Sequence, residues 1–163
     1  MFAPRTGLLE MCVFAFACAT AFAQSTPVTT AQQTRTSGMI GVTEGQLVRL
    51  NVLNPGVTPP AIGVVCSAAL KFWDGQGALL KSATVSVDPR KNSFFDLSGG
   101  QDLALIGDDR REIRATITIP PILPPAASSV PTPAPCTLIG TLELIDVGSG
   151  KTQEVIGVGH VVP

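Results

Sequence analysis

The chain has 163 residues, 45% of them apolar and only 14% charged, with a formal net charge of −1. That length suits one domain of ordinary size, and the near-neutral charge excludes a strongly basic surface that would track nucleic-acid phosphates. The apolar content is too high for a wholly disordered chain, and four Cys are too few for a small disulfide-framework scaffold.

Met1 to Gly7 carries one positive charge, Arg5, and the apolar run from Met11 closes on Ala21-Phe22-Ala23 before Gln24. A short basic start, an apolar stretch and an A-x-A site read as a secretory signal peptide cleaved between Ala23 and Gln24. The run is shorter than the roughly 20 residues a membrane helix needs, so no membrane span is expected after cleavage. A lipoprotein is the weaker alternative, because Ala15-Phe16-Ala17-Cys18 lacks the aliphatic residue usual three places before the Cys. Without residues 1–23 the chain keeps two cysteines, Cys66 and Cys136, and four aromatics, Phe72, Trp73, Phe94 and Phe95. Residues 24–37 offer almost nothing to bury and read as a flexible leader. A single folded domain is therefore expected over residues 38–163.

The rest of the chain has the pattern of short strands. Met39 to Thr43 opens the series. From Gln46 to Asn54, Val48, Leu50 and Val52 share one face while Arg49 and Asn51 share the other. Asn54-Pro55-Gly56 then supplies turn chemistry. Ile62 to Trp73 carries Val64, Cys66, Ala68, Leu70 and Phe72 in phase, and Asp74-Gly75 with Gly77 supplies the positive-φ positions of a hairpin. Ala78 to Val87 returns, Asp88-Pro89 turns, and Phe94 to Leu97 forms a short strand before Ser98-Gly99-Gly100. Gln101 to Arg111 suits either a strand or a helical turn. Ile113 to Ile119 alternates throughout, and residues 120–135 hold seven Pro, which remove backbone donors and mark a loop. Cys136 to Asp146 and Thr152 to about Val158 are the last strands, joined by Gly148-Ser149-Gly150.

Seven or eight short strands with a turn signal about every ten residues predict an all-β, antiparallel, immunoglobulin-like or fibronectin-like β-sandwich. A small β-barrel is the alternative closure. Cys66 shares a face with Leu70 and Phe72, and Cys136 with Leu138 and Leu144, so both cysteines point toward the core. A Cys66–Cys136 disulfide is the expected outcome in an oxidising compartment. Two Cys without nearby His do not fill a tetrahedral metal shell.

Candidate catalytic groups are sparse. His160 is the only His and stands among Gly and Val near the C-terminus, where a solvated tail residue is the simpler reading. Any Ser-His-Asp or Cys-His arrangement depends on it alone. Gly148-Ser149-Gly150-Lys151-Thr152 falls short of a phosphate-binding loop, because Ile145 stands where the first Gly belongs and a strand pattern follows. Asp108-Asp109-Arg110-Arg111-Glu112 reads as a solvated turn, and Asp102, Asp108 and Asp109 do not form an EF-hand loop. Four aromatics without a Tyr make a sugar cleft or a base-stacking platform hard to build. No residue set is assigned to catalysis, a metal or a cofactor.

Several short motifs recur in order: Gly45-Gln46-x-Val48-Arg49-Leu50-Asn51-Val52-x-Asn54, Phe72-x-Asp74-x-x-Gly77 and Glu112-Ile113-Arg114-Ala115. Cys136-x-Leu138 and Leu142-Glu143-Leu144-x-Asp146 complete them. Over about residues 38–157 the chain resembles a group of small, exported, uncharacterised bacterial proteins with a sandwich fold. The resemblance implies export and fold and carries no activity, cofactor or site residues.

Three functional classes follow, in descending order. The first is a non-enzymatic, periplasmic or extracellular domain that binds a protein or cell-envelope partner. The second is a structural or assembly component of the envelope that uses an exposed edge strand. The third is a secreted hydrolase. The Pro-rich loop 120–135 is either a semi-rigid connector or an extended polyproline surface.

Overall fold

The computed structural model describes residues 31–56, 64–121 and 136–160. The segment expected to be a signal peptide, with its expected cleavage site at Ala23-Gln24, and most of the Pro-rich loop lie outside those residues. Among the described residues none is helical, so none forms a helix long and apolar enough to cross a membrane.

In chain order the strands are β1 (Gln33–Thr36), β2 (Ile40–Val42), β3 (Gln46–Leu53), β4 (Cys66–Asp74), β5 (Leu79–Val87), β6 (Asn92–Ser98), β7 (Arg111–Ile119), β8 (Ile139–Asp146) and β9 (Thr152–His160). All pairings are antiparallel. The hydrogen-bonded path runs β5-β4-β7-β1-β9-β8-β3-β6, with β2 added beside β7.

The fold is all-β, as the alternation of apolar residues requires, but its closure is that of the barrel alternative. In a sandwich the β5-β4-β7 and β9-β8-β3-β6 layers would be separate sheets. Here β1 pairs with β7 on one side and with β9 on the other, so the two layers form one path and nearly close into a barrel. β1 raises the strand number to nine and falls inside the segment expected to be a flexible leader. Gln33-Thr34-Arg35-Thr36 has no apolar side chain to signal burial. Main-chain pairing on both edges holds it, and the Arg35 guanidinium donates to the Leu138 carbonyl. The ambiguous stretch from Gln101 resolves as irregular loop up to β7. Its backbone turns through positive φ at Ala104 (51°) and Gly107 (57°), which lets Leu105 bury and Leu103 pack on the core.

One core fills the space between the layers. Cys66, Ala68, Leu70 and Phe72 of β4 and Ile113, Ala115, Ile117 and Ile119 of β7 face Val48, Leu50 and Val52 of β3 and Leu142 and Leu144 of β8. Each fully buried Val, Leu, Ile or Phe contributes about 1.5–3 kcal/mol relative to exposure. Phe72 stacks on Phe95 of β6 with ring centroids 5.4 Å apart, tying the two layers together. Gly140 stands in the inward phase of β8, where the Ile117 side chain takes the space a Cβ would need. At the β4–β5 hairpin, Asp74 Oδ1 accepts the N–H groups of Gln76 and Ala78, and the positive φ falls on Gly77 (88°).

Cys66 and Cys136 form the expected disulfide, with Cα atoms 5.6 Å apart across a sequence separation of 70. On the chain-entropy account a loop of that size stabilises the fold by about 4 kcal/mol. The bridge joins the start of β4 to the segment leading into β8, so it fastens one layer to the other.

Among the described residues the barrel leaves one seam, between the terminal strands β5 and β6, and two polar residues span it. Lys81 pairs opposite the buried Phe72, so its side chain starts on the inner face of β5. Its ammonium crosses the seam to donate to the Asp96 carbonyl at 2.9 Å and to Asp102 Oδ2 at 2.8 Å, passing 5.6 Å from the Phe95 ring centroid. At the other end stands Asn54, which is buried. Its side-chain amide donates to the Val64 and Val87 carbonyls and its Oδ1 accepts from the Gly56 N–H. Its main chain exchanges hydrogen bonds with Lys91 and Arg90. A buried polar side chain is tolerated because its hydrogen-bonding groups are matched.

Candidate interaction surface

The outward phases of β6, β3, β8 and β9 build the most distinctive surface of the described chain. Strand register sets out its rows. Asp96, Arg49, Glu143 and Val155 form one, Phe94, Asn51, Thr141 and Gly157 the next, and Asn92, Leu53 and Ile139 a third. Neighbouring strands are about 4.8 Å apart, so side chains in one row touch.

The polar groups in this face are fixed by one another. Arg49 Nε and Nη2 each donate to one oxygen of Asp96 at 2.8 Å, the two-pronged geometry a guanidinium and a carboxylate favour. The Arg49 Cζ lies 4.2 Å from the Phe94 ring centroid, so the cation also sits on an aromatic face. The Asp96 hydrogen bond raises the Arg49 guanidinium above its ordinary range against the opposing effect of partial burial, and the Asp96 and Glu143 charges add to the rise. Asn51 Nδ2 donates to Glu143 Oε1 at 2.8 Å, which orients that carboxylate. Among the described residues Glu143 has no cation within salt-bridge distance.

Around this ladder the surface is apolar. Phe94 is 54% exposed, Leu53 40%, Ile139 50% and Val155 59%. Leu53 lies directly opposite Ile139, and Phe94 lies diagonal to Leu53. A shallow groove of about 410 Å³ runs over Asn51, Leu53, Asn92, Ile139, Thr141 and Glu143. The outer face of β4, β5 and β7 differs. It presents Ser67, Lys71, Thr84, Ser86, Arg114 and Thr118, with Leu79 exposed at one end and Trp73 Nε1 donating to Thr116 Oγ1 at 3.0 Å.

The residues with candidate chemistry in the sequence lie apart in space. Asp108 and Asp109 lie in the exposed loop before β7, and Arg110 pairs with Glu112 rather than with either Asp. His160 ends β9, its backbone opposite Arg35, toward the far end of β7. Asp102 belongs to the seam. Partial burial opposes its ionisation, but the Lys81 ammonium and the Ser98 N–H hold its carboxyl below the usual range. Gly148-Ser149-Gly150 is the β8–β9 turn, where Asp146 Oδ1 accepts from both the N–H and the hydroxyl of Ser149. No protein-family model matches the chain, and no curated protein matches it.

Sequence reasoning put Arg49 and Asn51 on an outward phase but did not single them out, and it missed Asp96, Glu143 and the exposure of Phe94. The signal present was the polar phase of β3. What gives that phase meaning is pairing with β6 and β8, which period-two alternation does not encode.

Proposed function

We propose that this chain is a non-enzymatic exported domain that binds a protein or cell-envelope partner through the outer face of β6-β3-β8-β9. The observation that carries this reading is the combination on that face: four exposed large apolar side chains surround a hydrogen-bonded ladder of Arg49, Asp96, Asn51 and Glu143. Isolated exposed apolar residues are common on soluble domains, whereas several on one sheet face, interleaved with ordered polar groups, mark a contact surface. Aromatic and Arg side chains are the residues that most often anchor such contacts. The Cys66–Cys136 bridge favours an oxidising, exported setting. The signal-peptide pattern ending at Ala23 points the same way.

Binding here relies on a preformed surface. The Arg49–Asp96 pair and the Asn51–Glu143 bond restrict their side chains before a partner arrives, which lowers the entropy lost on contact. Glu143 gives a site for a partner cation beside the apolar residues. The test is affinity capture from the envelope and extracellular fractions, comparing the natural chain with Phe94→Ala and Ile139→Ser. Partners lost from both variants but kept by Thr84→Ala, on the opposite face, support the reading. Identical partner lists for all four proteins would refute it.

A further inference from the structure

Among the described residues, the edge of β6 that faces away from β3 is open over one short window. Strand geometry sends the N–H and C=O of alternate residues to the same side. The Ser98 N–H donates to Asp102 Oδ2, and the Ser98 carbonyl accepts from Asp102 and Leu103. The Asp96 carbonyl accepts from Lys81. Both residues therefore point away from β3, and Phe94 and Asn92 must point the same way. The loop after β6 occupies the Ser98 end, while the turn at 88–91, bracketed by Asn54, occupies the other. Between them Asn92, Phe94 and Asp96 turn backbone groups outward. Among the described residues only the Asp96 carbonyl is engaged there.

We infer that β6 is the edge on which two copies of this chain pair, antiparallel and two-fold symmetric about Phe94. The window fixes this register, because Asn92 and Asp96 are equidistant from Phe94 and the blocked ends forbid a longer overlap. Pairing about Phe94 sets it against its counterpart and sets each Asn92 against the other copy's Asp96. An amide donor then meets a carboxylate twice, and no like charges are opposed. On the inner phase the small Ser93 meets the bulky Phe95. The Asp96 carbonyl keeps Lys81 on one lone pair and accepts the partner's Asn92 N–H on the other. A symmetric homodimer needs one self-complementary patch, and this window meets that requirement. The contact is small, so it belongs to the weak, concentration-dependent class. It does not rest on the partner-binding reading, which concerns the face of the sheet and not its edge.

Two variants separate the possibilities. Asn92→Pro removes one edge N–H without touching the β3 ladder, since Pro is tolerated where its nitrogen faces solvent. In Phe94→Cys a short bismaleimide links two introduced thiols only when residues 94 of two copies are adjacent. Thr84→Cys on β5 and the unsubstituted chain serve as controls. The expected result is a species of twice the chain mass in sedimentation equilibrium up to the millimolar range. It should disappear in Asn92→Pro, and a covalent dimer should form with Phe94→Cys but with neither control. A chain that stays monomeric throughout, a dimer unaffected by Asn92→Pro, or equal linking at Thr84→Cys would each overturn the pairing. If Asn92→Pro fails to fold, the cross-linking comparison decides the question alone. Loss of capture with Phe94→Ala while the Asn92-dependent dimer persists would show that face and edge act separately.

Discussion

The ammonium of Lys81 lies 2.9 Å from the main-chain carbonyl of Asp96, across the seam between strands that share no ladder. An inward-pointing charge is one way natural sheets protect an edge. Here the same charge also ties the two edges together through Asp102.

Lys81→Met keeps much of the aliphatic stem but removes both hydrogen bonds. Because the pair is partly solvated, the expected loss is modest, about 1 kcal/mol in urea unfolding. The larger effect should be on association, with Lys81→Met forming larger species than the natural chain in sedimentation velocity. A variant of unchanged stability and unchanged size distribution would show that Lys81 does not guard the seam.

The same pair sets a pH dependence. Asp102 is held below its ordinary value, so the folded state binds this proton less tightly than the unfolded chain. The stability it contributes is present above the unfolded pKa of about 3.8 and is lost as pH falls through the lower folded value. Urea midpoints should therefore drop on acidification below about pH 4, and Lys81→Met should flatten that drop. Equal slopes in the two proteins would place the acid sensitivity elsewhere.

Asn54→Leu should be among the most damaging single changes. It removes the donor to Val64 and Val87 and the acceptor for Gly56, and it leaves those backbone groups short of partners near the core. Unmatched buried groups cost roughly 1–3 kcal/mol each, so a loss of about 3 kcal/mol or more is expected in thermal or urea unfolding. A loss under about 1 kcal/mol would mean that water replaces the side chain at little cost.

Gly140→Val tests the packing of the two layers. The new side chain would enter the space held by Ile117 and crowd Val158. Overpacking of this kind costs about 1–3 kcal/mol. Pairing the change with Ile117→Ala should recover part of the loss, and strict additivity of the two effects would argue against direct contact.

Where one phase of a strand is continuously apolar, the fold was legible from residues alone. Val48, Leu50 and Val52 alternate with polar neighbours, and Cys66 and Cys136 sit in phase with residues that prove buried, so strand, face and bridge could be derived together. β1 was hidden because Gln33-Thr34-Arg35-Thr36 is held by its backbone, and backbone pairing leaves no mark on composition. The stretch from Gln101 stayed ambiguous because Leu103 and Leu105 bury without regular structure. The candidate surface was only half visible. Arg49 and Asn51 lay on a polar phase, but Asp96, Phe94 and Glu143 join them through strand neighbours 40 or more residues away in sequence.

The bridge between Cys66 and Cys136 has a covalent consequence as well as an energetic one. Residues 67–135 form a closed ring within the chain, so cutting any one peptide bond there yields two pieces that remain a single molecule. Such a nick would be silent on a non-reducing gel and would appear as two fragments only after a thiol reductant. The Pro-rich segment lies wholly inside that ring, so a single break in it detaches neither half of the protein from the other.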